Sequence, residues 1–136
     1  ETAASPSLEA AKRYATERVN ARYEFVDAMR ELEPPAEARE LHDAAVVIMA
    51  RLAAAEAELA KKVAELETNV GVDAIWLTPE GQAARSADQD ALELCLSAQS
   101  EFDRTEVRAE LGDVPWVPPQ MKEVVLVAFG CVAAER

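Results

Sequence analysis

The sequence predicts an all-α fold, an up-and-down helical bundle of three long helices with a short C-terminal fourth helix. Three observations carry that expectation. Apolar residues recur at three- and four-residue steps over long stretches, the spacing of one face of an α-helix. Prolines sit at the breaks between those stretches, in Pro34-Pro35, Thr78-Pro79 and Pro118-Pro119. Alanine is abundant while only 5% of the 136 residues are aromatic and four are glycine, a composition suited to helices that pack closely. A chain of this length can bury about two-thirds of its unfolded surface. Residues 6–136 are therefore expected to form a single helical-bundle domain.

The first helix is expected from Pro6 to about Glu33. Pro6 suits a first helical position, where its missing N–H costs nothing. Leu8, Ala11, Ala15, Val19, Val26 and Met29 form the apolar stripe, interrupted at Arg22 and widened by Tyr14, Ala21, Phe25, Ala28 and Leu32. Pro34-Pro35 ends it, because a residue preceding proline is pushed out of the helical region. The second helix is expected from Pro35 to Glu67, about 50 Å at 1.5 Å per residue. Its stripe is Leu41, Ala45, Ile48, Leu52, Ala55, Leu59, Lys62 or Val63, and Leu66, with Asn69 and Gly71 as stop signals. VGVDAIWL then bridges to Thr78-Pro79-Glu80, an N-cap, proline and acidic first turn that open the third helix. Core positions there are Ala84, Ala87, Ala91, Leu94, Ala98 and Phe102, and Leu92, Cys95 and Leu96 mark its middle as the most buried part. After the irregular GDVPWVPP, Pro119 opens a fourth helix that Gly130 ends.

The net charge of −12 speaks against nucleic-acid binding, which needs clustered Lys and Arg to displace phosphate counterions. No stretch reaches the roughly 20 apolar residues of a membrane span. The opening ETAASPS, without an initiator methionine, reads as a trimmed mature or tag-cleaved product whose original leader has been left out. The hairpin connections point to a monomer, with a dimer available if the second helix projects beyond its neighbours.

Chemistry has few candidates. Arg39 occupies the place of glutamate three residues before His42, so the Glu-x-x-His pairs of di-iron bundles are missing. One histidine and two distant cysteines offer no zinc spacing and no nucleophile–base pair. The expectation is no catalytic residue, no metal and no cofactor. His42 is expected to be an ordinary, partly exposed residue, and Glu56, Glu58, Glu65 and Glu67 to be solvated helix surface. Trp76 and Trp116 both fall in breaks between helices, where each can cap the end of the bundle or anchor a partner.

Cys95 and Cys131 can pair, stay as buried thiols or serve redox chemistry, and the lack of Cys-x-x-Cys disfavours the last. If the fourth helix returns antiparallel to the third, the two cysteines reach similar heights and a disulfide would fasten the C-terminal helix into the bundle. The stretches LEPPAEARELHDA, CLSAQSEFDRT and PWVPPQMKEVVLVAFGC resemble small helical, disulfide-containing domains of secreted or lipid-anchored envelope proteins of actinobacteria and related bacteria. That resemblance covers most of residues 7–133 and implies an extracytoplasmic address rather than an activity, with residues 1–5 the remnant of a linker and room for a lipid anchor on a missing N-terminus. The expected function is an interaction module of the cell envelope that binds a protein or envelope component. The alternatives are a carrier with a pocket for a small apolar ligand between its helices, and a carboxylate-based enzyme.

If Cys95 and Cys131 pair, the denatured, unreduced protein from an oxidising compartment should show no titratable thiol. Recovery of both thiols under those conditions would remove the disulfide and with it the main support for the address.

Overall fold

The computed structural model describes residues 7–68 and 70–104. They are helical almost throughout and contain no strand, so the fold is all-α. The helices are α1 (Leu8–Glu31), α2 (Arg39–Ala64), the short α3 (Val70–Ala74) and α4 (Pro79–Arg104). The expected fourth long-range feature of the chain, the helix after Pro119, lies outside the described residues, as do Trp116 and Cys131. By internal contacts the chain divides into two compact units, residues 1–91 and 92–136, and the described part of the second is the C-terminal half of α4. No helix among the described residues is long and apolar enough to cross a membrane.

α1 starts two residues later than Pro6. Ser7, in an extended conformation, accepts a hydrogen bond from the Ala10 N–H and so satisfies one of the unpaired donors of the first turn. The helix ends at Glu31, where Leu32 turns extended and its N–H reaches back to the Met29 carbonyl. A 3-10 turn at Ala36–Ala38 follows Pro35, and α2 begins only at Arg39. It stops at Ala64 with Lys61 and Lys62 in its last turn, where positive charge complements the helix dipole. Its 26 residues span about 39 Å rather than about 50 Å. Gly71, expected as a stop signal, lies instead inside α3.

The first unit is built on α1 packed against α2. Met29 contacts His42 while Arg22 and Arg18 meet Glu56, so the partners run in opposite directions along the two helices. The same reversal links α2 to α4, through Arg51 with Asp90 and Lys62 with Glu80. Leu59 and Val63 of α2, Ile75 of the following 3-10 turn and Ala84 of α4 form a buried cluster, with Ala15 of α1, Ala55 and Leu66 packed against it. Val26, Leu52, Ala53 and Ala87 complete the core of this unit, and Ala98 is buried in the second. Four of these buried residues are alanines, which let helices approach closely at no cost in side-chain entropy.

Two sequence expectations about burial fail. Leu92 and Cys95 are only partly buried and Leu96 is half exposed, so the middle of α4 is less buried than Ala84 and Ala87. Tyr14, Ala21, Phe25, Ala28 and Leu32 do not widen the buried stripe of α1, because all five are exposed. Among the described residues α2 is the main partner of α1, and the adjacent apolar side of α1 is exposed.

The corner between α3 and α4 is fixed by backbone. VGVDAIWL is not a plain bridge but α3 followed by a 3-10 turn over Ile75–Leu77. Thr78 caps α4 as expected: its hydroxyl accepts from the Gly81 N–H at 3.1 Å and donates to the Ile75 carbonyl. Gln82 donates from its side chain to the Trp76 carbonyl at 2.8 Å. Gly81 is buried against this turn, and a Cβ there would stand 2.6 Å from Trp76 Cα, a backbone atom that cannot move aside. Gly81→Ala should therefore destabilise the protein by roughly 1–3 kcal/mol through overpacking, although alanine is the better helix former by about 1 kcal/mol. Chemical denaturation checks the sign, and a higher midpoint for the variant would mean that the corner opens readily.

Candidate functional site

The most constrained polar group of the described residues is Glu56, which lies in the middle of α2 and is buried to 8% exposure. It takes the place of an apolar residue on the inner face, four positions after Leu52 and three before Leu59. Its burial is matched from α1. Arg18 donates from Nε to one carboxylate oxygen at 2.9 Å, and Arg22 donates from Nε to the other at 3.2 Å. Both arginines retain about a third of their side-chain exposure, 35% and 29%, so their aliphatic stems cover the helix contact while the guanidinium edges reach water. One carboxylate between two cations leaves the cluster at +1, in a protein of net charge −12.

Arg18 has a second partner. Its Nη1 donates to the Tyr14 hydroxyl at 3.1 Å, one turn back on α1. Burial alone would lower the Arg18 pKa, but the Tyr14 hydroxyl and the Glu56 carboxylate outweigh it and hold the guanidinium above its ordinary value. A raised basic pKa adds stability below the unfolded-state value and loses it only as pH climbs through the folded one. For an arginine that window lies in strong alkali, and Arg18 stays charged throughout the neutral range.

The same residues shape the outer side of α1. Tyr14, Glu17, Arg18, Ala21, Arg22 and Phe25 line an open groove along this helix. Ala21 forms its floor because its side chain is one carbon, while Tyr14 and Phe25, 61% and 50% exposed, stand at either end. Farther along, Ala28 repeats the small position between Phe25 and Leu32, the latter also exposed. The Tyr14–Arg18–Glu56 chain of hydrogen bonds fixes one wall of the groove from the buried side.

Glu56 was expected on the helix surface, and the structure corrects this, since Arg18 and Arg22 reach it across the α1–α2 contact. The signal was present as an interruption of the α1 stripe at Arg22 and an acidic residue at an inner spacing on α2. Glu58, Glu65 and Glu67 are exposed as expected. His42 is more enclosed than expected, with 16% side-chain exposure. Its Nε2 lies 2.8 Å from the Met29 carbonyl, and because a carbonyl only accepts, that nitrogen carries the proton. His42 thus caps the end of α1 from the first turn of α2. Nδ1 is buried without a hydrogen bond: Asp43 approaches it to 3.5 Å, an ion-pair distance too long for one.

Trp76 lies in the 3-10 turn before α4, 39% exposed, with the Arg85 guanidinium 5.3 Å from its ring centre. That cation–π contact holds the ring against α4. Cys95 is partly buried on α4, and the expected bond to Cys131 falls outside the described residues. The structure does not bring Trp76 together with the α1 groove or the Glu56 cluster in any recorded contact. Among the described residues no group of His, Cys, Asp and Glu converges as a metal site. No family model, curated protein or solved structure matches the chain.

Removing one member of the Glu56 cluster should cost more than replacing all three. Glu56→Ala leaves two guanidinium groups facing each other and is expected to destabilise by about 2–3 kcal/mol, less than the roughly 3–5 kcal/mol of a wholly buried pair because both arginines touch water. The triple replacement Arg18→Met, Glu56→Leu, Arg22→Met should be neutral or stabilising. Urea denaturation of the two variants checks the order, and equal stability of Glu56→Ala and the parent would show that the carboxylate is not needed at the contact.

Proposed function

We propose that the protein is an extracytoplasmic helical interaction module of the cell envelope, and that its working surface is the outer side of α1. The observation that carries this reading is the exposed run Tyr14, Ala21, Phe25, Ala28 and Leu32, which alternates large with small side chains and is crossed by one charged residue, Arg18. Contiguous exposed apolar surface of this kind marks sites of association. In this reading the chain is an up-and-down bundle whose short C-terminal helix is fastened by a bond between Cys95 and Cys131. Trp116 and Trp76 serve in this reading as caps on the ends of the bundle, a role that the Arg85 guanidinium beside the Trp76 ring supports.

Two observations favour the module over its rivals. The groove beside Arg18 is open and lined by one helix, the form of a docking surface rather than of a ligand-enclosing pocket. The buried carboxylate, Glu56, has each oxygen held by a guanidinium, which leaves it poorly suited to take a proton from a substrate.

A photo-crosslinking phenylalanine analogue placed at Phe25 in the producing cells should give a discrete adduct of constant mass. The same group at Tyr23, exposed on another side of α1, should give none. Equal labelling from both positions would overturn the choice of surface. Saturable one-to-one uptake of the apolar fluorophore N-phenylnaphthylamine, with Phe25 adducts absent, would establish the carrier instead.

A further inference from the structure

The outer side of α1 has a charged border. Glu17, Glu24 and Glu31 follow one another at heptad spacing, all three exposed, along the edge of the apolar run that faces away from α2. None of the three forms an ion pair recorded among the described residues. The apolar residues beside them keep the steps of a coiled-coil seam: Tyr14, Arg18, Ala21, Phe25, Ala28 and Leu32 alternate four and three. Ala21 and Ala28 are holes in that seam, each with a large side chain on either side. The one cation in it, Arg18, is held by Glu56 and Tyr14 and is not available to pair with the acidic border.

Resting on the reading of this surface as the working one, we propose that its partner is an amphipathic helix with an apolar stripe edged by Lys or Arg. Large side chains of such a helix would enter the holes at Ala21 and Ala28, and its basic edge would lie along Glu17, Glu24 and Glu31. The charge decides between occupants. A second copy packed antiparallel about a two-fold axis would set the glutamate row against itself, and a parallel copy would turn that row toward the flank of α1 that α2 already occupies through Arg22. The C-terminal segment 119–136 balances Lys122 and Arg136 against Glu123 and Glu135, so it brings no basic edge. A basic helix gains at each of the three positions, and the net charge of −12 would also speed its approach.

The test uses the full chain and two synthetic helical peptides with the same Leu stripe at heptad spacing, one edged with Lys and one with Glu, read by fluorescence anisotropy. The Lys-edged peptide should bind saturably, and raising ionic strength from about 0.01 to 0.1 M, which shortens the screening length from ~30 to ~10 Å, should weaken it. Glu17→Lys, Glu24→Lys and Glu31→Lys together should weaken that peptide by about tenfold or more and turn the preference toward the Glu-edged one. Ala21→Trp should abolish binding of either by filling the hole. All these positions are exposed, so the variants should melt with the parent, and the circular dichroism of each confirms that it is folded. Equal binding of both peptides to the parent would overturn the basic partner while leaving the surface in place. Failure of both peptides, together with a parent dimer that Ala21→Trp dissociates, would assign the surface to a second copy. Failure of both with a monomeric parent would overturn the proposed partner, and the Phe25 adducts would then show whether the surface itself stands.

Discussion

Everything in the first unit is arranged around a carboxylate that cannot be left alone. Glu56 sits where the α1–α2 contact is otherwise apolar, and a lone charge in such a place costs several kcal/mol. The cost is offset only when both arginines arrive from α1 at the right height, one on each oxygen. Sliding α2 by one residue would turn the carboxylate by about 100° and break both bonds. Close-packed alanines tolerate many neighbouring registers because they are small and alike, so the polar cluster supplies the register that the apolar residues do not define.

The same cluster organises the outside of α1. Arg18 belongs at once to the buried contact, through Glu56, and to the groove, through Tyr14. Rigidity is carried from inside to outside along a single side chain, and the wall of the groove is held in place before any partner arrives. A surface prepared in this way loses little rotamer freedom on association. Among the described residues the glutamate row has no comparable support and is exposed, which under the proposed binding role would suit charges that attract at a distance.

Helix type and approximate position were legible in the residues, since periodicity, Pro34-Pro35 and Thr78-Pro79 act over a few neighbours along the chain. The end of α2 was not. No glycine or proline stands at Ala64, and the helix stops where its last turn meets the following segment. The site was half legible. Arg22 showed as a gap in the stripe, but nothing in α1 alone says that the gap is filled by Glu56 thirty-four residues later. The exposure of Phe25 and Leu32 was equally out of reach, because periodicity gives the width of an apolar face and not the number of helices available to cover it.

The His42 cap on Met29 has a consequence for how the hairpin assembles. It joins residues 13 apart, just beyond the proline doublet, whereas Arg22 and Arg18 meet Glu56 across 34 and 38. Contacts thus widen in order from the turn outward, and each one already made shortens the loop that the next must close. A hairpin connected like this has low contact order and a zipper-like route open to it, the topology of fast-folding helical proteins. The register-setting cluster then forms between helices that the cap already holds side by side.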